Sequence, residues 1–257
     1  MLLTLDAGNT NITAGLWEGE ALVAQWRFAT RRDATADELA GFFYGLFATR
    51  GLSFQAVEGV ALSSVVPSLT PQCARLAQDY FRVEPLVVSH TTDTGLKNGY
   101  DDPRAVGADR LVNALAAWTK FKSAVVIADF GTATTVDAVS STGTYLGGAI
   151  APGIGISTDA LFRAAAKLPR VDLVAPSRAL ARNTQESIQA GLVYGYAGLT
   201  KELVSRCVSE IGEPCVVAAT GGLAELISPL VPQIQYVEPH LTLEGLRLLW
   251  LRAQTGS

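Results

Sequence analysis

Cysteine, histidine and charge are all scarce in this chain of 257 residues, and each scarcity excludes a class of protein. Three cysteines, Cys73, Cys207 and Cys215, make neither an even disulfide framework nor a C-x-x-C pair. They read as small apolar filler in a reducing compartment. The two histidines, His90 and His240, are too few for a zinc site, and both lie near turns, where a solvated or structural role fits better than catalysis. Charged residues make up 17% of the chain, against roughly a quarter in an average soluble protein, while 49% are hydrophobic. That balance excludes a disordered chain or an acidic linker. The net charge of −4 leaves no basic surplus for a nucleic-acid backbone. A long apolar run is also missing, because the charge-free stretch from Ala138 to Thr158 is filled with Ser, Thr, Gly and Pro and does not read as a membrane span. The opening Met1-Leu2-Leu3-Thr4-Leu5-Asp6 has no basic region and carries an acid where a signal peptide is apolar, so the expected location is the cytoplasm.

What the chain does contain is an approximate internal repeat. Leu3-Thr4-Leu5-Asp6-Ala7-Gly8-Asn9-Thr10 lies over Val126-Ile127-Ala128-Asp129-Phe130-Gly131-Thr132-Ala133 at an offset of 123 residues, nearly half the chain. Each copy reads as an apolar strand ending in Asp-x-Gly and a polar turn. A second strand follows, Ile12 to Trp17 or Thr135 to Val139, and then a turn and a third strand. Helix and strand patterns alternate after each meander, which argues for two similar α/β lobes.

The first lobe shows helical spacing over Asp37 to Arg50, stopped by Gly51, and a buried strand over Val57 to Val66. Ser68 is placed to cap a helix reaching Arg82, and Leu86 to Ser89 reads as a short strand. Thr91 to Pro103 reads as a loop, and Ala108 to Phe121 as a helix. In the second lobe the pattern gives a glycine-rich bend over Gly147 to Gly153 and a helix over Ser157 to Lys167. A long helix follows from Thr184 to Ile211, with room for a break. A strand over Cys215 to Ala219 and a last helix over Thr242 to Arg252 complete it. Phe42, Phe43, Leu46 and Phe47 read as core on one helix face, and Trp17, Trp26, Trp118 and Trp250 as packing residues.

A carboxylate at a strand end, followed by a glycine turn bearing hydroxyls, suits phosphate chemistry, since backbone N–H groups in a tight turn cradle oxyanions. Asp6 and Asp129 would then face one space and hold a hard cation accompanying the phosphates. A single Asp-x-Gly-Asn is also an ordinary hairpin turn; its duplication is what favours the phosphate reading. Gly221-Gly222, after a buried strand, reads equally as a place where adenine or ribose approaches the backbone and as a helix-entry turn.

The duplicated pattern resembles the acetate and sugar kinase, actin and heat-shock chaperone superfamily. More narrowly, Asp6-Ala7-Gly8-Asn9-Thr10-Asn11, Gly107-Ala108-Asp109-Arg110, Asp129-Phe130-Gly131-Thr132-Ala133-Thr134-Thr135, Gly147 to Gly153 and Asn183-Thr184 resemble, in order and spacing, the type III pantothenate kinases. That resemblance implies an α/β fold of two ribonuclease-H-like lobes, a duplicated βββαβα unit at 1–106 and 107–257, with ATP in the cleft between them. It implies transfer of the γ-phosphoryl group of ATP to the terminal hydroxyl of pantothenate, the first step of coenzyme A synthesis. Asp6, Ala7, Gly8, Asn9, Thr10, Asn11, Ile12 and Thr13 would hold ATP phosphates, Asp6 with magnesium, and Thr132 would contact phosphate from the second lobe. Asp109 would be the base, and Tyr100, Gly107, Ala108, Asp109, Arg110 and Thr184 the substrate site. Asp129 would bind a monovalent cation, potassium or ammonium. The resemblance also implies a homodimer with pantothenate near the interface, and neither a nucleic acid nor a membrane as partner.

Read physically, Asp109 lies in the first turn of its helix, where the dipole keeps a carboxylate ionised as a base requires. The plainer reading of an isolated Asp-Arg pair is a helix cap with a solvated neighbour. Two rival functions stand beside the kinase: another sugar or acid kinase of the superfamily, and a noncatalytic regulatory protein of the transcription accessory type. Intact Asp109 and Asp129 argue against the second.

Overall fold

The computed structural model describes residues 1–165 and 167–255. In chain order the elements begin with β1 (Leu2–Ala7), β2 (Asn11–Glu18), β3 (Ala21–Ala29), α1 (Ala36–Ala48), β4 (Gly59–Ser64), α2 (Thr70–Arg75), β5 (Leu86–Val87), β6 (Lys97–Asn98) and α3 (Ala108–Phe121). They continue with β7 (Ala124–Phe130), β8 (Ala133–Val139), β9 (Thr144–Pro152), α4 (Ile154–Ala164), α5 (Thr184–Ile211), β10 (Cys215–Thr220), α6 (Ala224–Ile227), β11 (Tyr236–Val237) and α7 (Leu241–Thr255). The chain forms two compact units. The first holds residues 1–95, 101–116 and those from Thr242 on; the second holds residues 96–100 and 117–241.

Each unit is built on one sheet, and the repeat is visible in the strand order. The first sheet runs β3-β2-β1-β4-β5 and the second β11-β10-β7-β8-β9-β6. In the first, β1 is antiparallel to β2 and parallel to β4; in the second, β7 is antiparallel to β8 and parallel to β10. Read outward from β1 and from β7, the two sheets share one order and one set of directions, with β6 added at the far edge of the second. This is an α/β protein of two ribonuclease-H-like units.

The first core grows from local rules. Thr35 and Glu38 form a reciprocal capping box that starts α1. The helix then buries Leu39, Ala40, Phe43 and Phe47 against Leu3, Leu5 and Ala7 of β1. Trp26 stacks on Phe47 at 5.4 Å, and Phe54 meets Phe81 at 4.5 Å. Each fully buried ring, such as Phe43 or Phe47, contributes about 1.5–3 kcal/mol. Phe42, expected in this core, is 43% exposed; it lies off the buried stripe of α1 and leans on Phe28. Burial pushes the Cys73 thiol up to about 12, in keeping with apolar filler.

The opposite face of the first sheet is covered by α7. Trp250 fits over Gly59, where a Cβ would lie 2.5 Å from its Nε1, and the Arg247 guanidinium stands 5.4 Å from the Trp17 ring. Thr242 donates to Asn113 of α3 at 2.7 Å, tying α7 to the second turn of that helix.

In the second unit α5 packs Val193, Tyr196, Ala197 and Val204 onto Val126, Ala128 and Phe130 of β7. It runs unbroken for 28 residues, about 42 Å at 1.5 Å per residue. The break allowed by Gly191, Gly195 and Gly198 does not occur, because tertiary burial of one face outweighs about 1 kcal/mol of helix propensity per glycine. Gly212 closes it in the left-handed conformation.

Other differences from the sequence reading have local causes. Ser68 does not cap α2; its hydroxyl donates to the Arg32 carbonyl at 2.7 Å, and Leu69 occupies the cap position. The stretch from Gly147 to Pro152 is strand, not bend, since β9 absorbs its irregularity as a bulge opposite Ala138 and Val139. Consequently α4 starts directly after Gly153, earlier than Ser157; of the expected span to Lys167, residue 166 lies outside the described residues. The presumed loop after Thr91 contributes β6, whose two residues gain a strand's hydrogen bonds only from β9. The short α6 and β11 have too few residues for a periodic pattern.

Gly59→Ala is expected to destabilise the fold by about 1–3 kcal/mol, as overpacking against an aromatic ring does. Urea denaturation reads this directly, and an unchanged midpoint would show that Trp250 moves aside freely.

Candidate functional site

The Asp6 side chain is fixed by strand pairing. In β1 the side chains of Leu3, Leu5 and Ala7 point to the core, so Asp6 takes the other face at the strand's last turn of the pleat. Register puts Thr13 of β2 on one side of it and Ser63 of β4 on the other. The second sheet repeats the row: Asp129 lies between Thr135 of β8 and Thr220 of β10. A hydroxyl, a carboxylate and a hydroxyl thus share one face in each unit, spaced about 5 Å apart. Ser63 and Thr220 were not singled out in the sequence: Ser63 is the penultimate residue of β4 and Thr220 the last of β10, and only the parallel pairing sets them beside the acids. The Ser63 Oγ is fully buried and has no hydrogen-bond partner, whereas Thr220 Oγ1 donates to the Glu238 carbonyl at 2.7 Å.

After Asp6 the chain turns tightly. The Gly8 N–H donates to the Asn11 carbonyl at 3.0 Å, and Thr30 braces the turn twice. Its hydroxyl donates to the Gly8 carbonyl at 2.6 Å and its N–H to the Thr10 carbonyl at 2.9 Å. Asn9 and Thr10 are exposed at the tip, and Arg32 donates to the Asn9 side-chain oxygen at 2.9 Å. Asn11 and Thr13 are half-buried, whereas Ala7 and Ile12 are buried. The second turn, Gly131-Thr132, is pressed against Gly153, so α4 begins beside it with its N-terminal dipole end. Gly221 holds φ +91, and a Cβ there would lie 2.5 Å from Asp129 Oδ1 and 2.6 Å from the Phe130 backbone. The glycine is therefore needed for β10 to turn away against the Asp129 strand end.

Asp109 and Arg110 open α3 in the first unit. The Asp109 carboxylate is half-buried, folds back over Gly107 and accepts the Arg110 N–H at 2.8 Å. Arg110 is 7% exposed, so its guanidinium is no solvated surface charge. Ala108 is half-buried beside it. Tyr100 belongs to the second unit, half-buried against Tyr145 with ring centroids 6.2 Å apart. Thr184 is the first residue of α5, after the Asn183 cap, on the rim of a groove of about 320 Å³ lined by Leu161, Leu168, Ile188 and Gly191. None of the other candidates lines that groove. The first unit thus gathers residues 6–13 and 107–110, and the second Asp129, Thr132 and Tyr100.

Among the described residues no group of three or more His, Cys, Asp or Glu side chains is assembled for a metal. Carboxylates flanked by hydroxyls fit a hard cation that takes its remaining oxygens from phosphate and water. His90 is exposed and His240 half-buried, each away from these rows in sequence and register. No helix among the described residues is long and apolar enough to cross a membrane.

A family model described as type III pantothenate kinase matches residues 2–206. The chain belongs to this family. A type III pantothenate kinase of Roseiflexus sp. (strain RS-1) is 51% identical over 250 residues, covering 97% of this chain and 98% of the relative. One from Geobacter sulfurreducens is 51% identical over 252 residues, covering 98% and 99%. Among solved structures, a putative Baf family transcriptional activator from Campylobacter jejuni superimposes with a TM-score of 0.62 at 16% identity, covering 98% and 99%. A ROK family glucokinase from Streptomyces griseus gives 0.52 at 13% identity, covering 98% and 99%. These two likenesses show the fold alone. Family membership makes the protein an ATP-dependent kinase that phosphorylates pantothenate in coenzyme A biosynthesis, and it gives no support to a noncatalytic regulator. As a kinase of this kind it uses ATP together with a divalent metal.

Gly221→Ala is expected to lower turnover about 10²-fold, because a Cβ at φ +91 must displace Asp129 or the Phe130 backbone. Steady-state rates of a variant that retains its native melting temperature check this; near-normal turnover would detach Asp129 from the reaction.

Proposed function

We propose that the protein transfers the γ-phosphoryl group from ATP to the terminal hydroxyl of pantothenate in a single in-line displacement, with Asp109 as general base. The observation that carries this reading is a half-buried carboxylate in the first turn of α3, beside a buried arginine and in the same unit as the braced Asp6 turn. The helix dipole favours the ionised carboxylate there. As the pantothenate oxygen bonds to the γ-phosphorus, its proton passes to an Asp109 carboxylate oxygen. The bond between that phosphorus and the β–γ bridging oxygen breaks, and ADP leaves.

In this reading Asp6, Ala7, Gly8, Asn9, Thr10, Asn11, Ile12 and Thr13 hold ATP phosphates through turn N–H groups and short side chains. Asp6 carries the magnesium, whose bound form neutralises phosphate charge. The fully buried, unpartnered Ser63 Oγ next to Asp6 supports an oxygen-rich site there. Thr132 contacts phosphate, and Asp129 holds potassium or ammonium. Arg110 offers a planar donor fork to a polar or anionic group of pantothenate, and Gly107, Ala108, Tyr100 and Thr184 complete the substrate site. The two lobes, expected from the sequence at 1–106 and 107–257, are read as the products of one duplication, with residues 107–116 and those from Thr242 on packing with the first unit. A homodimer is supported by the apolar grooves along α5 and by the exposed Val174 and Leu180. The cytoplasm is the location where its substrates and reduced cysteines belong.

Asp109→Asn is expected to lower kcat by about 10²-fold or more while ATP affinity holds, since it removes a proton acceptor without removing volume. A coupled ADP-release assay, run with and without pantothenate, measures this, and a near-normal kcat at saturating substrates would remove Asp109 from the role. Activity is also expected to rise saturably with potassium at constant ionic strength, and Asp129→Ala to lose that dependence with most of its activity. Equal wild-type rates in potassium, sodium and a bulky organic cation would take the cation away from Asp129.

A further inference from the structure

Within the second sheet sits a carboxylate for which the proposed reaction gives no role. Asp137 of β8 is 2% exposed. Its Oδ1 accepts the Tyr145 hydroxyl at 2.6 Å and its Oδ2 the Thr135 hydroxyl at 2.9 Å. Burying a carboxylate is costly, and the two hydroxyl bonds offset part of that cost. Packing alone does not call for a charge here. What the charge supplies is a pair of hydrogen bonds about twice as strong as neutral ones, each with a fixed direction.

The sheet is shaped to make the Tyr145 contact. Gly147 pairs with Ala138, so in a regular ladder Val139 would face Leu146 and Tyr145 would point to the other side of the sheet. The bulge instead sets Tyr145 opposite Val139, on the Asp137 face, where it is wholly buried. Tyr145 is then fixed at both ends, by the strand and by the carboxylate. Residues 97–100 are laid along it. Asn98 is in register with Tyr145, the Gly99 N–H donates to the Tyr145 carbonyl at 2.9 Å, and the Tyr100 N–H donates to Asn98 Oδ1 at 3.1 Å. The Tyr100 ring packs on the Tyr145 ring at an interplanar angle of 41° and passes close over Gly147.

We propose that Asp137 is a positioning residue for pantothenate: through the Tyr145 hydroxyl it fixes the aromatic platform that sets Tyr100. This deepens the reading above and rests on Tyr100 being a substrate contact. Thr135 holds the second carboxylate oxygen, so the Asp137 plane and the Tyr145 ring turn together.

Asp137→Asn keeps the volume, removes the charge and presents an amide N–H₂ to one of the two hydroxyl donors. Tyr145→Phe keeps the ring and removes the bond. Each is expected to raise the pantothenate Kd and KM by about fivefold to tenfold, the worth of one such hydrogen bond, with the ATP KM changed by less than about twofold. The two effects are expected to be non-additive in the double variant, as for residues acting through one contact. Calorimetric titration of purified protein with pantothenate reads the Kd, and initial rates read both KM values. Unchanged pantothenate binding in Tyr145→Phe, whatever its melting temperature, would overturn the proposal, and that variant decides the matter if Asp137→Asn does not fold. Equal loss toward ATP and pantothenate would also overturn it, as the mark of a general structural defect. A wild-type protein that neither binds nor turns over pantothenate would instead overturn the substrate reading on which the proposal stands.

Discussion

A strand buried on both faces carries a charge at low cost only near its end, where solvent or a ligand can reach it. That constraint organises this protein. In β1 and β7 every residue before the acid is packed under helices or other strands, and Asp6 and Asp129 sit one residue before the strand ends, where the backbone is still held by the ladder. Parallel pairing on one side and antiparallel pairing on the other then bring a hydroxyl to each flank. The acids are thus positioned by backbone hydrogen bonds of the sheet, which deform little. The turns that follow inherit that precision: Thr30 braces one and Gly153 closes on the other.

The helices finish what the sheets begin. In the first unit α7 covers the Asp6 side of the sheet and joins the second turn of α3, so the helix turn bearing Asp109 and Arg110 is fixed to the same body as the Asp6 turn. Rigid attachment matters for a displacement that needs positioning more than covalent chemistry. In the second unit the bulge in β9 performs a comparable task by turning one tyrosine to the Asp137 face. Both devices are single local departures, a missing Cβ at Gly59 and one extra residue in a strand.

Much of the placement of the candidate residues was legible from type and spacing. Asp-x-Gly after an apolar strand marked both acids, and a helix start after Gly107 marked Asp109; the span of α3 from Ala108 to Phe121 and that of α5 from Thr184 to Ile211 followed from apolar periodicity. The failures were of two kinds. Ser68 and Gly147 to Gly153 misled because local preference named a cap and a bend where tertiary partners imposed other structure. Phe42 misled because a run of adjacent aromatics cannot all share a helix face that is about 100° wide.

By itself the sequence determined the fold class, the duplication and the chemical type of each candidate residue, because these rest on patterns within a few residues of one another. Only the tertiary structure decided the partners across strands. Ser63 and Thr220 stand beside the acids solely through register, and Asp137 meets Tyr145 solely because a bulge reverses a side chain's face. It also decided which segments pack together, since α7, at the far end of the chain, covers the sheet formed by its beginning. Register and helix docking are choices among pairings distant in sequence, and they are settled by burial and hydrogen bonding summed over the whole unit, which no local window contains.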